Sequence, residues 1–535
     1  MDFEEIIKHL GDFGTYQKRL YYMLCISSVI TAIQVLLTVF TFGIPEHRCA
    51  VPGLVNDTFQ KSELNDSLGE FVYEDNVYKQ CSIYSLTSHN VTTCKRWVYD
   101  KSIFESSIIT QIDIVCNEKI AKSHAQMLVM LGQVVGCAIV GPLSDRFGRK
   151  TMLCSFLIIN IISSIAVTWT PTIRVVFAFY FFIGTSISGT FTPAFVLGME
   201  LVGPKSRVWA GMITELFWSL GTIILSGAAY WIRNWQTLQL TMSVPSIILL
   251  SYFCLITESP RWLISKGRYK EAEKIIQKAA KVNKVVLPQR LLRRSQSRFI
   301  EPNNESVFKI FTSRILVIRT VIVYINWAAC SLTFYGLTLN AGNLSGSIHL
   351  NFFLLNIIEV PAYILCMMLL DRIGRRILHC SSLFLSGACI TLSIFTVLYA
   401  DKSLTWITTL LAVIGKMGIT AAFAIMWIYT TELFPTPLRN SAVGTSSLMA
   451  RIAAAISPYI ANIGLIVPGS VGKITPMIIF GITSIIAGLL ALLLPETKDR
   501  LLPETIEDAE QFTNKKSDDD MDNGEELKVL NSEKI

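Results

Sequence analysis

Four ionisable side chains stand well inside otherwise apolar stretches: Glu215, Glu359, Lys416 and Arg451. A charge in the hydrocarbon of a bilayer is costly unless it is paired or hydrated, so each is a candidate functional group. The chemistry open to them is recognition. Two carboxylates facing one cavity would hold an ammonium group, and a guanidinium at similar depth would hold a carboxylate. The alternative is that Glu359 pairs with Lys416 or Arg451 only to neutralise charge. Trp218 lies one turn from Glu215, and a cation over its ring would gain about 0.5–2 kcal/mol. Gln133 and Gln34 are polar residues on similar stretches that would line the same cavity. Catalysis has no comparable support: there is no Gly-Lys-Ser/Thr phosphate loop, no Cys/His metal spacing, no Gly-x-Ser-x-Gly elbow, and the 6 His are scattered. No enzyme, cofactor or metal is expected, and ATP is not the driving force. The expected driving force is the substrate's own electrochemical gradient or a coupled ion.

Positioning these residues takes twelve membrane helices. The chain of 535 residues is 51% hydrophobic and 16% charged, against about 25% charged in a soluble domain. That excludes a soluble globular protein. Apolar stretches at 20–44, 122–143, 151–169, 173–199, 208–231, 236–257, 315–339, 349–370, 377–399, 405–430, 441–466 and 473–494 approach or exceed the ~20 residues a spanning helix needs. At ~1.5 Å per residue, Glu359, Lys416 and Arg451 lie roughly 15 Å from their entry faces, and Glu215 about 10 Å from the inner face. The net charge of +7 resides in loops and forms no basic face, so membrane lipid and not nucleic acid is the expected partner.

Short loops alternate in charge. Arg146, Arg149, Lys150, Lys205, Arg207, Arg372, Arg375, Arg376 and Arg439 fall on one side, against Arg174, Arg233, Lys402 and Lys473 on the other. Basic loops are retained in the cytoplasm, which puts both termini inside and the segment 45–121 outside. The acidic opening MDFEEIIKHLGDFG is no secretory signal. The outer segment carries Cys49, Cys81, Cys94 and Cys116 and the glycosylation sequons at Asn56, Asn65 and Asn90, chemistry of the lumenal compartment. Two disulfides are expected, in one of three pairings. The resulting order is a cytoplasmic N-terminus (1–19), a six-helix bundle (20–257), a cytoplasmic linker of amphipathic helices (258–313), a second bundle (314–494) and an acidic tail (495–535) that is disordered towards its end.

Three features occur twice. GPLSDRFGRK follows the second stretch and LLDRIGRR the eighth, at an offset of 226 from Asp145 to Asp371. Glu200 and Arg207 recur as Glu432 and Arg439 at an offset of 232, and Glu258 as Glu496 at 238. Order, sidedness and offset all hold, so the chain reads as two parallel halves. Such halves enclose a midplane site in alternating-access transporters. Asp145 and Arg149 can pair where one helix ends and the next begins, a contact able to differ between two states.

GPLSDRFGRK resembles the loop 2–3 signature of the major facilitator superfamily, with DRIGRR its weaker echo. GKMGITAAFAIMWIYTTELFPTPLRN, ESPRWLISKGRYKEAEKII and IIEVPAY resemble that superfamily's organic ion branch, the organic cation, carnitine and anion transporters. The similarity runs from about Asp12 to Phe512, and is most like insect-type organic cation transporters and carnitine or zwitterion carriers. It implies an all-α membrane protein with the major facilitator fold: twelve transmembrane helices in two pseudo-symmetric six-helix bundles. It implies a gating network of Asp145, Arg149, Glu200, Arg207, Glu258, Glu432 and Arg439, to which the duplicated signature adds Arg146, Asp371 and Arg375.

Glu359 matches the helix 8 acid of cation and carnitine carriers, where anion carriers place a Lys shortly after the Pro; here the stretch reads PAYIL. Arg451 departs from strict organic cation transporters, which have an acid there, and matches anion and carnitine carriers. Glu215 replaces a position that is usually neutral. By alignment with the family the aromatic wall is Phe191, Trp218, Trp327, Phe334, Tyr335 and Trp427, with Lys416 and Gln133 beside it. The expectation is a plasma-membrane transporter of small organic cations or zwitterions, carnitine-like or biogenic-amine compounds, working by alternating access. An organic anion exchanger and a non-transporting ligand-sensing receptor on the same scaffold are the rivals.

Overall fold

The computed structural model describes residues 3–51, 57–59, 73–74, 77–78, 80–84, 91–203, 206–287, 313–344, 346–399, 401, 404–467, 469–500, 503 and 506–511. Among them, twelve helices are long and apolar enough to cross a membrane. The first half holds α1 (Thr15–Thr41), α2 (Ala121–Phe147), α3 (Arg149–Trp169), α4 (Ile173–Leu201), α5 (Arg207–Trp231) and α6 (Trp235–Leu255). The second holds α7 (Arg314–Asn343), α8 (Ile348–Ile373), α9 (Arg375–Tyr399), α10 (Thr405–Leu433), α11 (Thr436–Ala461) and α12 (Gly469–Ala491). Every stretch read from hydropathy is a helix, because backbone amides in lipid have no water partner and must bond within the segment.

Three departures from the stretches read in sequence have structural causes. α1 begins at Thr15 and not near 20, since the Tyr16 backbone N–H donates to Asn283 Oδ1 (2.9 Å), while Asn283 Nδ2 donates to the Leu10 carbonyl (2.9 Å). A side chain over 260 positions away thus caps this helix. α12 starts at Gly469, in left-handed backbone at φ 81°, four residues before the stretch read from sequence. α8 is broken between Ile348–Ile357 and Glu359–Ile373. Pro361 has no N–H to give the Ile357 carbonyl, and the interruption falls at Ile358, immediately before Glu359.

The duplication holds in three dimensions. α4 and α10 are both 29 residues long and stand 232 apart at each end. Helices α3 and α9 begin at Arg149 and Arg375, 226 apart. The segment between α1 and α2 forms antiparallel ribbons that pair His47–Cys49 with Trp97–Tyr99 and Ser82–Tyr84 with Val91–Thr93. Disulfides join Cys49 to Cys94 and Cys81 to Cys116, which selects one of the three pairings. Asn56, Asn65 and Asn90 lie outside the described residues. This segment defines the loop face. On the opposite, terminal face, helix Phe3–Leu10 meets helix Tyr269–Asn283, and the Arg319 guanidinium donates to the Ala509 carbonyl in helix Ile506–Gln511.

A cavity between the two halves

A cavity lies between the halves. The first half contributes Gln133 from α2, Ile187, Ser188 and Phe191 from α4, and Glu215 and Trp218 from α5. The second contributes Trp327, Ser331, Phe334 and Tyr335 from α7, Tyr363 from α8, Phe423 and Trp427 from α10, and Ser447 and Arg451 from α11. Helical periodicity explains the grouping, because residues three or four apart share a face: Glu215 with Trp218, Trp327 with Ser331 and Tyr335, Phe423 with Trp427, Ser447 with Arg451. The rings brace one another. Trp327 meets Trp427 edge to face at 4.7 Å and donates its indole N–H to Thr430 Oγ1 (2.9 Å), while Phe191 meets Trp218 at 6.0 Å. Offset and T-shaped pairs of this kind hold ring faces in fixed orientation.

Two of the four intramembrane charges face this space. Arg451 is half-buried and donates from Nη1 to Gln133 Oε1 (3.0 Å), across the division between halves. Glu215 is also half-buried, with the Tyr363 hydroxyl in hydrogen-bonding reach. Tyr335 lies in the electrostatic reach of both Arg451 and Glu215.

Glu359 and Lys416 do not join the wall, which corrects their expected place among the substrate contacts. They form an ion pair at 3.0 Å, with side chains 1% and 0% exposed. Lys416 Nζ also donates to Thr338 Oγ1 (2.8 Å) and the Phe334 carbonyl (3.1 Å), and Ser219 Oγ donates to Glu359 Oε2 (2.9 Å). A buried ammonium needs such a set of acceptors to offset its desolvation, so the pair locks itself behind the wall. Gln34 is likewise elsewhere, donating to Ser243 Oγ (3.1 Å) at the α1–α6 contact. Tyr363, absent from the sequence candidates, stands one turn after Glu359 in the same IIEVPAY run, and that spacing was the signal available.

Towards the loop face the halves meet again. Between α2 and α11, Asn462 Nδ2 donates to Gln126 Oε1 (2.9 Å) and His124 Nδ1 bonds Tyr459 Oη (2.7 Å). On the same face, His349 of α8 stacks on Phe40 of α1 (5.4 Å) and meets Tyr230 of α5 edge-on (6.0 Å).

The duplicated motifs occupy the terminal face, one set in each half. Gly148 and Gly374 adopt φ 105° and 103°, and a Cβ at either would collide with the carboxylate of Glu258 or Glu496 respectively. Glu258 accepts the N–H groups of Arg149 (3.0 Å) and Lys150 (3.1 Å); Glu496 accepts those of Arg375 (2.8 Å) and Arg376 (3.0 Å). Each carboxylate thereby caps the positive end of a helix dipole. Arg375 forks onto Glu432 (3.1 and 3.2 Å), and Arg149 reaches Glu200 at 3.5 Å. Asp145 and Asp371 pair with Arg149 (2.9 Å) and Arg375 (3.2 Å) but are 72% and 78% exposed, so solvent screens them. Each of these pairs lies within one half. Arg207 opens α5, and Arg439 sits in the first turn of α11 within reach of Glu432's charge. Arg146 stands apart from these clusters: it is exposed, with its guanidinium 5.3 Å from the Phe147 ring centre.

Two six-helix halves around a central cavity define a multi-pass membrane transporter of the major facilitator fold. The xylose transporter XylE from E. coli, partially occluded and inward open, shares this fold at a TM-score of 0.63 with 16% identity, over 91% of this chain and 100% of that one. Residues 76–508 match the family described as "Sugar (and other) transporter". An organic cation transporter protein of Drosophila melanogaster is 33% identical, over 96% of each chain. The organic cation/carnitine transporter 2 of Mus musculus is 32% identical, over 95% of this chain and 93% of its own. The chain belongs to the sugar (and other) transporter family, among relatives that are organic cation and carnitine transporters and not enzymes.

Proposed function

We propose that this chain is a plasma-membrane carrier of small organic cations or zwitterions, such as carnitine-like or biogenic-amine compounds, working by alternating access. Both termini would be cytoplasmic, and the disulfide-bearing loop, glycosylated at Asn56, Asn65 and Asn90, extracellular. The observation that carries the reading is the charge left on the wall. With Glu359 and Lys416 cancelling each other behind it, the cavity presents one carboxylate, Glu215, and one guanidinium, Arg451, among aromatic faces. That set complements an amine bearing a carboxylate, and Glu215 with Trp218 suits an amine alone. The contacts on the loop face are neutral hydrogen bonds and ring contacts, each worth about 0.5–1.5 kcal/mol net, which rocking can exchange cheaply. A membrane potential adds about 2.3 kcal/mol per charge per 100 mV in favour of inward cation movement.

Uptake of a labelled quaternary amine, carnitine and an aromatic anion into vesicles carrying the protein tests this. Amine and carnitine uptake without chemical change is the expected result. Glu215→Gln should lower amine uptake about tenfold or more, and Arg451→Ala should cut carnitine uptake more deeply than simple amine uptake, since each removes a charge-assisted contact of about 1.5–3 kcal/mol. Anion flux alone would favour an exchanger anchored on Arg451, and binding without flux a receptor.

A further inference from the structure

We infer that Gln133 is a positioning residue that holds Arg451 across the cavity until a ligand carboxylate replaces it. This rests on the zwitterion reading above and follows from the internal symmetry. Gln133 and Glu359 are 226 apart, the offset of α2 to α8; Ser219 and Arg451 are 232 apart, the offset that maps Arg207 in α5 to Arg439 in α11. The Gln133–Arg451 hydrogen bond and the Ser219–Glu359 hydrogen bond are therefore one contact present twice, each joining the first half to the second near mid-membrane.

The two copies differ in how the charged member is satisfied. Glu359 has a resident counter-ion in Lys416. The counterpart of Lys416, by the same 232 offset, is Gly184, where a Cβ would collide with the Val129 carbonyl of α2. The close approach of α2 and α4 leaves no room for a counter-ion on that side. Arg451 is left with a neutral amide as its partner, and its Nε is buried without a hydrogen-bond acceptor among the described residues. A guanidinium that lines a cavity with only a neutral amide on Nη1 is set up for a carboxylate, which would accept end-on from Nη1 and Nη2 together, the fork that Gln133 now half occupies. Gln133 then gives up the Arg451 Nη1 donor, so ligand entry releases one cross-half contact while the Ser219–Glu359–Lys416 contact stays closed.

The test uses the full chain in nanodiscs and measures binding of carnitine and of choline, a quaternary amine without the carboxylate, to wild type, Gln133→Glu and Gln133→Met. Gln133→Glu turns the neutral hold into an ion pair that carnitine must break, so the carnitine-to-choline affinity ratio should fall about tenfold. Gln133→Met keeps the volume and removes the acceptor, so that ratio should rise. A ratio unchanged in both variants, with both probes bound by wild type, overturns the displacement role alone. Failure of wild type to bind either probe overturns the amine-carrier reading and this inference with it.

Discussion

Lys416→Met isolates the buried pair. Its Nζ and the Glu359 carboxylate stand 3.0 Å apart with neither side chain reached by solvent. At an effective dielectric of about 20, two unit charges at that distance attract by about 5–6 kcal/mol, largely offset by the cost of removing both from water. Taking away one partner removes the attraction and leaves the other's desolvation cost in place. Lys416→Met should therefore destabilise the protein by about 3–5 kcal/mol, because Glu359 retains only the Ser219 hydroxyl. For a half of this size that corresponds to a melting shift on the order of 10 °C. The double variant Glu359→Leu with Lys416→Met should lie nearer wild type than either single change, since a matched apolar pair carries no stranded charge. Thermal melting of the four proteins in one detergent gives the coupling energy as a double-mutant cycle. The reasoning is refuted if the two single effects add in the double variant. Uptake by the folded fraction of the double variant should persist, as neither side chain lines the cavity; its abolition would return Glu359 to the substrate site.

Three further outcomes are expected. Glu258→Gln and Glu496→Gln each weaken charge-assisted hydrogen bonds at a helix N-terminus and should cost about 1–3 kcal/mol, read by melting; no loss in either would show that these carboxylates are not structural caps. Trp218→Ala should weaken binding of a quaternary amine by about 3–30-fold while affecting an uncharged isostere less, the cation–π contribution being about 0.5–2 kcal/mol. In the disulfide-bearing loop, burial pushes the His47 imidazole below its ordinary 6.5, with Lys119 adding and the Pro45 carbonyl opposing. A depressed folded value means that the neutral ring stabilises the loop above pH ~6.5, and that this is lost as pH falls below it, when unfolding takes up a proton. The protection factors of the amides in His47–Cys49, exchange rates corrected for their intrinsic pH dependence, should fall on acidification through that window, and His47→Gln should flatten the dependence.

Much of this molecule is legible in its sequence for one reason: lipid leaves a backbone no choice but to bond to itself. Apolar length alone therefore specifies twelve helices, the recurring Asp145/Asp371 and Glu200/Glu432 motifs expose two halves, and the scarcity of charge inside those helices singles out Glu215, Glu359, Lys416 and Arg451. Hydropathy and rise per residue give depth along a helix. They do not give its rotation against its neighbours. Packing decided that Glu215 and Arg451 face the cavity while Glu359 and Lys416 turn to each other, with the α8 interruption at Ile358 just before Glu359 and Lys416 standing where α4 has only the crowded Gly184. The same holds for the Asn283 cap on α1, for Gln34 against Ser243, and for Cys49–Cys94 with Cys81–Cys116 among three possible pairings. Each depends on which distant segments arrive side by side, and that is settled by the packed three-dimensional arrangement rather than by spacing along the chain.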